Sequence, residues 1–210
     1  MKLTTSAFAQ GAPIPAEFAF CRIDNGPGHV ALSGNLNPDF SWSEVPVGAR
    51  SLALLCVDPD VPSVGDDVNQ EGRTVPISLP RAPFWHWALV DLPPDMSSVA
   101  RGAFSSGVTP RGKPGPQAAH GARQGINDYT GWFAGDAAMA GQYFGYDGPC
   151  PPWNDLRMHN YTFTLHALAV PRLELAGMFT CAEAHAALLP HLLGSASITG
   201  RYTLNPTLAY

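Results

Sequence analysis

The stretch Tyr146–Leu165, YDGPCPPWNDLRMHNYTFTL, decides how the rest of the chain is read. It opens on Gly148-Pro149-Cys150-Pro151-Pro152, presents His159 and Tyr161, and runs on into an alternating segment. Proline fixes φ at about −65° and removes a backbone donor, so this cluster makes a stiff loop wall. Behind the wall, Tyr161, Phe163, Leu165 and Ala167 alternate with Thr162, Thr164 and His166. That is the period-2 pattern of a strand over 161–170. The wall therefore sets His159 at the mouth of a strand with little slack.

Two further strands carry the argument outward. Ser51–Val57 (SLALLCV) is short and mostly apolar. Asp58-Pro59-Asp60-Val61-Pro62 is expected to end it, because Pro59 and Pro62 cannot donate to a ladder. Trp85–Leu92 (WHWALVDL) reads as a strand with His86, Ala88 and Val90 on one face and Trp85, Trp87 and Leu89 on the other. Shorter strands fit Phe18–Ile23, His29–Leu32 and the alternation around Phe40 and Trp42, while residues 1–17 read as an irregular lead-in. Thr180-Cys181-Ala182-Glu183 has the capping-box pattern that starts a helix. The helix is expected to run towards Leu193, kinked or shortened by Pro190 and stopped by Gly194. Ala196–Leu204 reads as a last strand. Ser63–Pro83 and Pro93–Asp128 lack periodicity. The first is expected to be a lid or a protruding insertion, since loops of that length in a compact domain are usually functional.

Composition agrees with a strand-rich domain. Hydrophobic residues make up 45% and charged residues 14%, which specifies a folded chain. The 21 glycines and 21 prolines favour many turns and short strands over a helical bundle. With no repeat and no linker, residues 1–210 read as a single domain. A net charge of −5 without a basic cluster argues against nucleic acid. No apolar run is long enough to span a membrane. Ala7-Phe8-Ala9 mimics a signal-peptidase site, but no apolar run precedes it. Cys21, Cys56, Cys150 and Cys181 form no CxxC and read as reduced core thiols, which suits a cytoplasmic protein. Two disulfides remain compatible with the same sequence.

Asp58 stands at the end of one strand, His86 at the start of another and His159 just before a third. If the first strand runs antiparallel to the other two, all three meet at one end of the sheet. Imidazole N–H groups donate to an anion, a carboxylate fixes the tautomer, and a tyrosine hydroxyl donates at the rim. Two histidines facing an anion predict affinity that rises as pH falls through about 6.5. His159→Ala is expected to weaken binding at a stability cost of about 1–2 kcal/mol, unless it strands a carboxylate.

These residues also carry a resemblance. Asp58-Pro-Asp-Val-Pro62 resembles the DPDxP motif of the phosphatidylethanolamine-binding proteins, also called Raf-kinase-inhibitor-like proteins. His86-Trp87-Ala-Leu-Val-Asp-Leu-Pro resembles their second box, and Gly148-Pro-Cys-Pro-Pro152 with His159-Asn160-Tyr161 their third. The C-terminal ASITGRY looks like the bacterial branch. The matches run from Ser51 to Tyr202. Asn160 replaces an arginine of the family's third box, and Arg157 stands close enough in sequence to substitute.

The resemblance implies a mainly β fold, an antiparallel β-sandwich with short peripheral helices and long loop insertions. It implies a pocket for phosphate-like or phospholipid headgroups, such as phosphoethanolamine, built from Asp58, Asp60, Trp85, His86, His159 and Tyr161. Either Pro149 or Pro152 would supply its proline wall. A ligand-binding, regulatory protein is the first expectation, with no cofactor and no resident metal. The alternatives are a protease or kinase inhibitor that meets a protein partner through surface loops, or a hydrolytic enzyme using the Asp/His cluster. The sequence has no GxSxG, P-loop, GxGxxG or HExxH.

Overall fold

A computed structural model describes residues 1–208. Its strands are β1 (Lys2–Thr4), β2 (Cys21–Ile23), β3 (Val30–Leu32), β4 (Phe40–Ser43), β5 (Ser51–Pro62), β6 (Arg81–Leu92), β7 (Ser98–Val99), β8 (Gly112–Lys113), β9 (Arg123–Gln124), β10 (Gln142–Tyr143), β11 (His159–Leu168) and β12 (Leu192–Tyr202). Two short helices are α1 (Tyr129–Trp132) and α2 (Cys181–Leu188). The principal sheet has the order β12-β11-β5-β6-β9, and a smaller sheet has the order β1-β4-β7. Both are antiparallel throughout; the two-residue β8–β10 ladder is parallel.

Alternation on the central strands builds two cores. Leu52, Leu54 and Cys56 of β5, with Tyr161, Phe163, Leu165 and Ala167 of β11, face a large core shared with Leu3, Phe40, Trp42 and Val99 of the smaller sheet. Ala53 and Leu55, with Ala88 and Val90 of β6, face a second core covered by Cys181, Ala184 and Leu188 of α2. The sandwich thus has a sheet on one side of β5 and a helix on the other. The α2 capping box forms as read, Thr180 Oγ1 accepting from the Glu183 amide and Glu183 accepting from the Thr180 amide. The helix ends at Leu188, short of Leu193, because Pro190 cannot continue it; a 3₁₀ turn follows and β12 begins at Leu192, with Gly194 inside the strand.

Other expectations need correction. The lead-in is not wholly irregular, since Lys2–Thr4 pairs with β4. β5 does not stop at Asp58. It continues to Pro62, pairing Asp58 with Phe84 and Val61 with Ala82 across a register shift that absorbs Pro59. β6 correspondingly begins at Arg81. The alternation assumed for Trp85–Leu92 also fails at one residue. Cys56 pairs with Trp87 and Val57 with Trp85, so His86 is the extra residue of a bulge. Trp87 and Leu89 enter the large core as read, whereas Trp85 packs against the second core. His86 thereby turns to the same side as Trp87. Finally, Cys21 and Cys150 are disulfide-bonded, while Cys56 and Cys181 are free and buried. The reduced reading therefore holds for two of the four cysteines; Cys21 and Cys150 lie 129 residues apart, and the turn that joins them is invisible in spacing.

Among the described residues, one buried side-chain polar atom has no partner. His166 Nδ1, on β11 under α2, is unsatisfied, and burial followed by the nearby His185 pushes its imidazole down to about 4. Its folded-state value lies below the unfolded value of about 6.5, so its contribution to stability is present above about pH 6.5 and lost as pH falls towards 4. Wild type should therefore lose up to about 3 kcal/mol of stability between those values that His166→Phe does not lose. Identical pH profiles in urea titrations would exclude this.

Candidate functional site

The antiparallel order brings the three predicted positions to one end of the principal sheet, beside a cavity of about 440 Å³. Asp58, His86, Tyr161 and Pro152 line it, with Phe84, Tyr129, Pro151 and the Cys21–Cys150 pair. Its mouth is apolar, edged by Leu32, Val64 and Trp132. Ser63–Asn69 forms one rim. That part of the long segment is tied down by Asn154, whose amide donates to Asp67 O and Arg73 O while its Oδ1 accepts from the Asn69 amide. The segment expected as a lid or insertion is thus folded onto the cavity mouth and held there by a buried side chain.

His86 is 3% exposed, and its open surface is the cavity. Nδ1 donates to the Asp147 carbonyl at 2.7 Å. Nε2 has no protein partner among the described residues and is not a buried unsatisfied atom, so it opens onto the cavity. Burial holds the imidazole below its ordinary value, against the pull of Asp58.

His159 has a different place from the one expected. It is fully buried, with Nδ1 2.7 Å from Asp58 Oδ2 and Nε2 3.0 Å from Asp155 Oδ2. Both ring nitrogens are committed to carboxylates, so His159 does not face a ligand. Burial opposes its charge, but Asp58 and Asp155 outweigh it and push the imidazole up to about 9. Arg81 closes the chain with a two-pronged contact to Asp155 at 2.5 and 3.0 Å. His159 is therefore an imidazolium that neutralises Asp58 from behind. Among the described residues only His86 of the histidines lines the cavity, and the pH dependence expected at about 6.5 moves below that value with it.

The other predicted residues divide. Tyr161 lies against Asp58, and burial followed by that carboxylate raises its phenol well above the ordinary range. Asp60 is outside the cavity. It accepts from the Asn160 amide and side chain and from Arg157 at 3.0 Å, continuing the β5–β11 contact where the ladder has ended. Burial opposes that ionisation, but Asn160 and Arg157 keep Asp60 below the usual carboxylate value. Arg157 thus does supply a cation near Asn160. Trp85 points to α2, its ring 5.0 Å from that of His185. Of the two candidate prolines, Pro152 lines the cavity, whereas Pro149 contributes its carbonyl to the Phe20 and Cys21 amides.

Sequence reading missed Asp147, Asp155, Tyr129 and Asp128. Asp147 is fully buried and accepts from Asn35 at 2.7 Å, Asn127 at 2.8 Å and Lys113 at 3.0 Å. Asp128 accepts from the Trp85 amide at 2.7 Å, on the bulge that turns His86 inward. The one available signal was acidic residues inside stretches too rich in proline and glycine to be an ordinary solvated face.

The family model for phosphatidylethanolamine-binding proteins matches residues 4–203. The chain is 29% identical to the UPF0098 protein YbhB of Escherichia coli, across 97% of this chain and 100% of that one. It is 32% identical to a UPF0098 protein of Chlamydia muridarum, across 96% and 98%. The crystal structure of E. coli YbcL, described as a new member of the mammalian PEBP family, superposes with a TM-score of 0.68 at 24% identity, covering 96% of this chain and 97% of that one. On the strength of the family match along nearly its full length, the chain belongs to the phosphatidylethanolamine-binding protein family.

Proposed function

We propose that the protein binds a small phosphate-like ligand, either free or as a phospholipid headgroup such as phosphoethanolamine, with its oxyanion at His86 and its remainder against the apolar mouth. One observation carries this reading: a buried imidazole nitrogen opens into a cavity beside a carboxylate that a buried imidazolium already neutralises. The Asp58, His159, Asp155 and Arg81 charges cancel, so Asp58 repels an incoming anion far less than an isolated carboxylate would. Aromatic and proline walls limit water and strengthen the remaining contacts.

Calorimetric titration with phosphate and with phosphoethanolamine tests the proposal. Saturable binding is expected in wild type and should weaken at least about tenfold in His86→Ala, the worth of one charge-assisted hydrogen bond. Equal binding by the two proteins would refute it. A hydrolytic reading has one observation in its favour, since an open Nε2 lone pair is what a general base requires. Turnover of p-nitrophenyl phosphate that disappears in His86→Ala would favour hydrolysis over simple capture.

The cysteines bear on location. Among the described residues no helix is long and apolar enough to cross a membrane. Structural disulfides persist in oxidising compartments and are rare in the cytosol. The Cys21–Cys150 pair therefore favours an oxidising compartment over the cytoplasm. Alkylation of denatured protein taken directly from cells should then modify two cysteines; four modified cysteines would return the protein to a reducing compartment.

A further inference from the structure

The hydrogen-bonding sense of the cavity's polar end is fixed by what surrounds it. A carbonyl oxygen only accepts, so the 2.7 Å contact with Asp147 O keeps a proton on His86 Nδ1 in every state of the ring. Neutral His86 is therefore the Nδ1–H tautomer, and the Nε2 it turns to the cavity is a lone pair. Asp58 shares that sense. It draws its donors from His159 and from the Asp60 amide. Tyr129, edge-on to the His86 ring at 5.6 Å, gives its own proton to Gly148 O. The charges acting on the ring are the carboxylates of Asp58 on β5, Asp128 before α1 and Asp147. Lys113 is already paired with Asp147. A fully ionised anion placed against Nε2 would meet a lone pair rather than a donor, beside an Asp58 whose charge His159 offsets.

We infer that the cavity selects oxyanions that bring a proton with them, a hydrogen phosphate monoester whose P–OH donates to His86 Nε2 being preferred over a fully ionised anion of the same size. This rests on the oxyanion reading above and narrows its ligand class. A sulfate ester binds only after Nε2 has taken a proton from solvent, which burial of the ring disfavours. A phosphate monoester has its second ionisation at about pH 6, so a large fraction still carries the proton there.

Ethyl phosphate and ethyl sulfate separate the two cases, being nearly the same shape. They are titrated calorimetrically at pH 6 into wild-type protein and into His86→Gln, whose amide can turn either its NH₂ or its oxygen inward. Wild type is expected to bind ethyl phosphate at least about tenfold more tightly, and the ratio should fall below about threefold in His86→Gln. Equal affinities in wild type, or an undiminished ratio in His86→Gln, would overturn the inference while leaving the oxyanion site in place. Binding of neither ester would overturn the oxyanion reading and this inference with it.

Discussion

Replacing His159 by alanine should destabilise the fold by about 3–5 kcal/mol, the cost of breaking a buried ion pair by removing one partner. The side chain is fully buried, and its loss leaves Asp58 facing Tyr161 and the Asp60 amide with no cation. Asp155 retains Arg81, so Asp58 accounts for most of the loss. The estimate of about 1–2 kcal/mol for an exposed binding histidine does not apply here, because the condition that exempted it, a stranded carboxylate, is met. The same network fixes a pH signature. The His159 value is raised to about 9 in the folded state from about 6.5 unfolded, so its contribution is complete below about pH 6.5 and disappears as pH rises through 9. Wild type should lose up to about 3 kcal/mol over that interval and His159→Ala should not. Urea titrations at pH 6.5 and 9.5 measure both effects. Parallel profiles would show that His159 is neutral in the folded protein.

Asp147→Ala should be comparably severe, about 3–5 kcal/mol, although Asp147 touches no ligand. Its carboxylate has zero exposure and holds the amides of Asn35 and Asn127 together with the Lys113 ammonium. Truncation strands two buried amide donors and a charge that burial already disfavours. Those contacts join loops that lie 112, 34 and 20 residues from Asp147 in sequence, so the loss spreads through the wall behind His86. Adding Lys113→Met to Asp147→Ala should recover at least about 1 kcal/mol, because the stranded charge is then gone. A double-mutant cycle in urea reads this directly. A loss under about 1 kcal/mol for Asp147→Ala alone would mean that water replaces the carboxylate.

What the sequence disclosed was whatever has a short period or a short reach. The alternation of Tyr161–Ala167 specified β11 and its buried face, the run Ser51–Cys56 specified β5, and Thr180 with Glu183 specified the start of α2. Antiparallel pairing of those strands brought Asp58, His86 and Tyr161 to one cavity. The rest depends on contacts across long separations. The bulge at His86 is a property of the β5–β6 register, and no feature of WHWALVDL marks it. His159 sits where it was expected along the chain, but its role is set by Asp155, four residues earlier, and by Asp58, 101 residues earlier. Asn154 acquires meaning only when the segment around Asp67–Arg73 folds across it. Pro59 misled because proline ends an ideal ladder, whereas here a register shift and the Asp60 carboxylate replace the missing pairing.

The central claim is that His86 meets the ligand through Nε2 while His159 stays a buried imidazolium. Nitrogen-15 NMR of the histidine side chains during a phosphate titration at about pH 6.5 tests it most directly. Free His86 is expected to be the neutral Nδ1–H tautomer, its Nε2 resonance to move towards a proton-bearing position as phosphate saturates, and the His159 signals to stay those of an imidazolium throughout. Saturable phosphate binding with an unmoved His86 Nε2, or a free protein in which His86 carries its proton on Nε2, would contradict it.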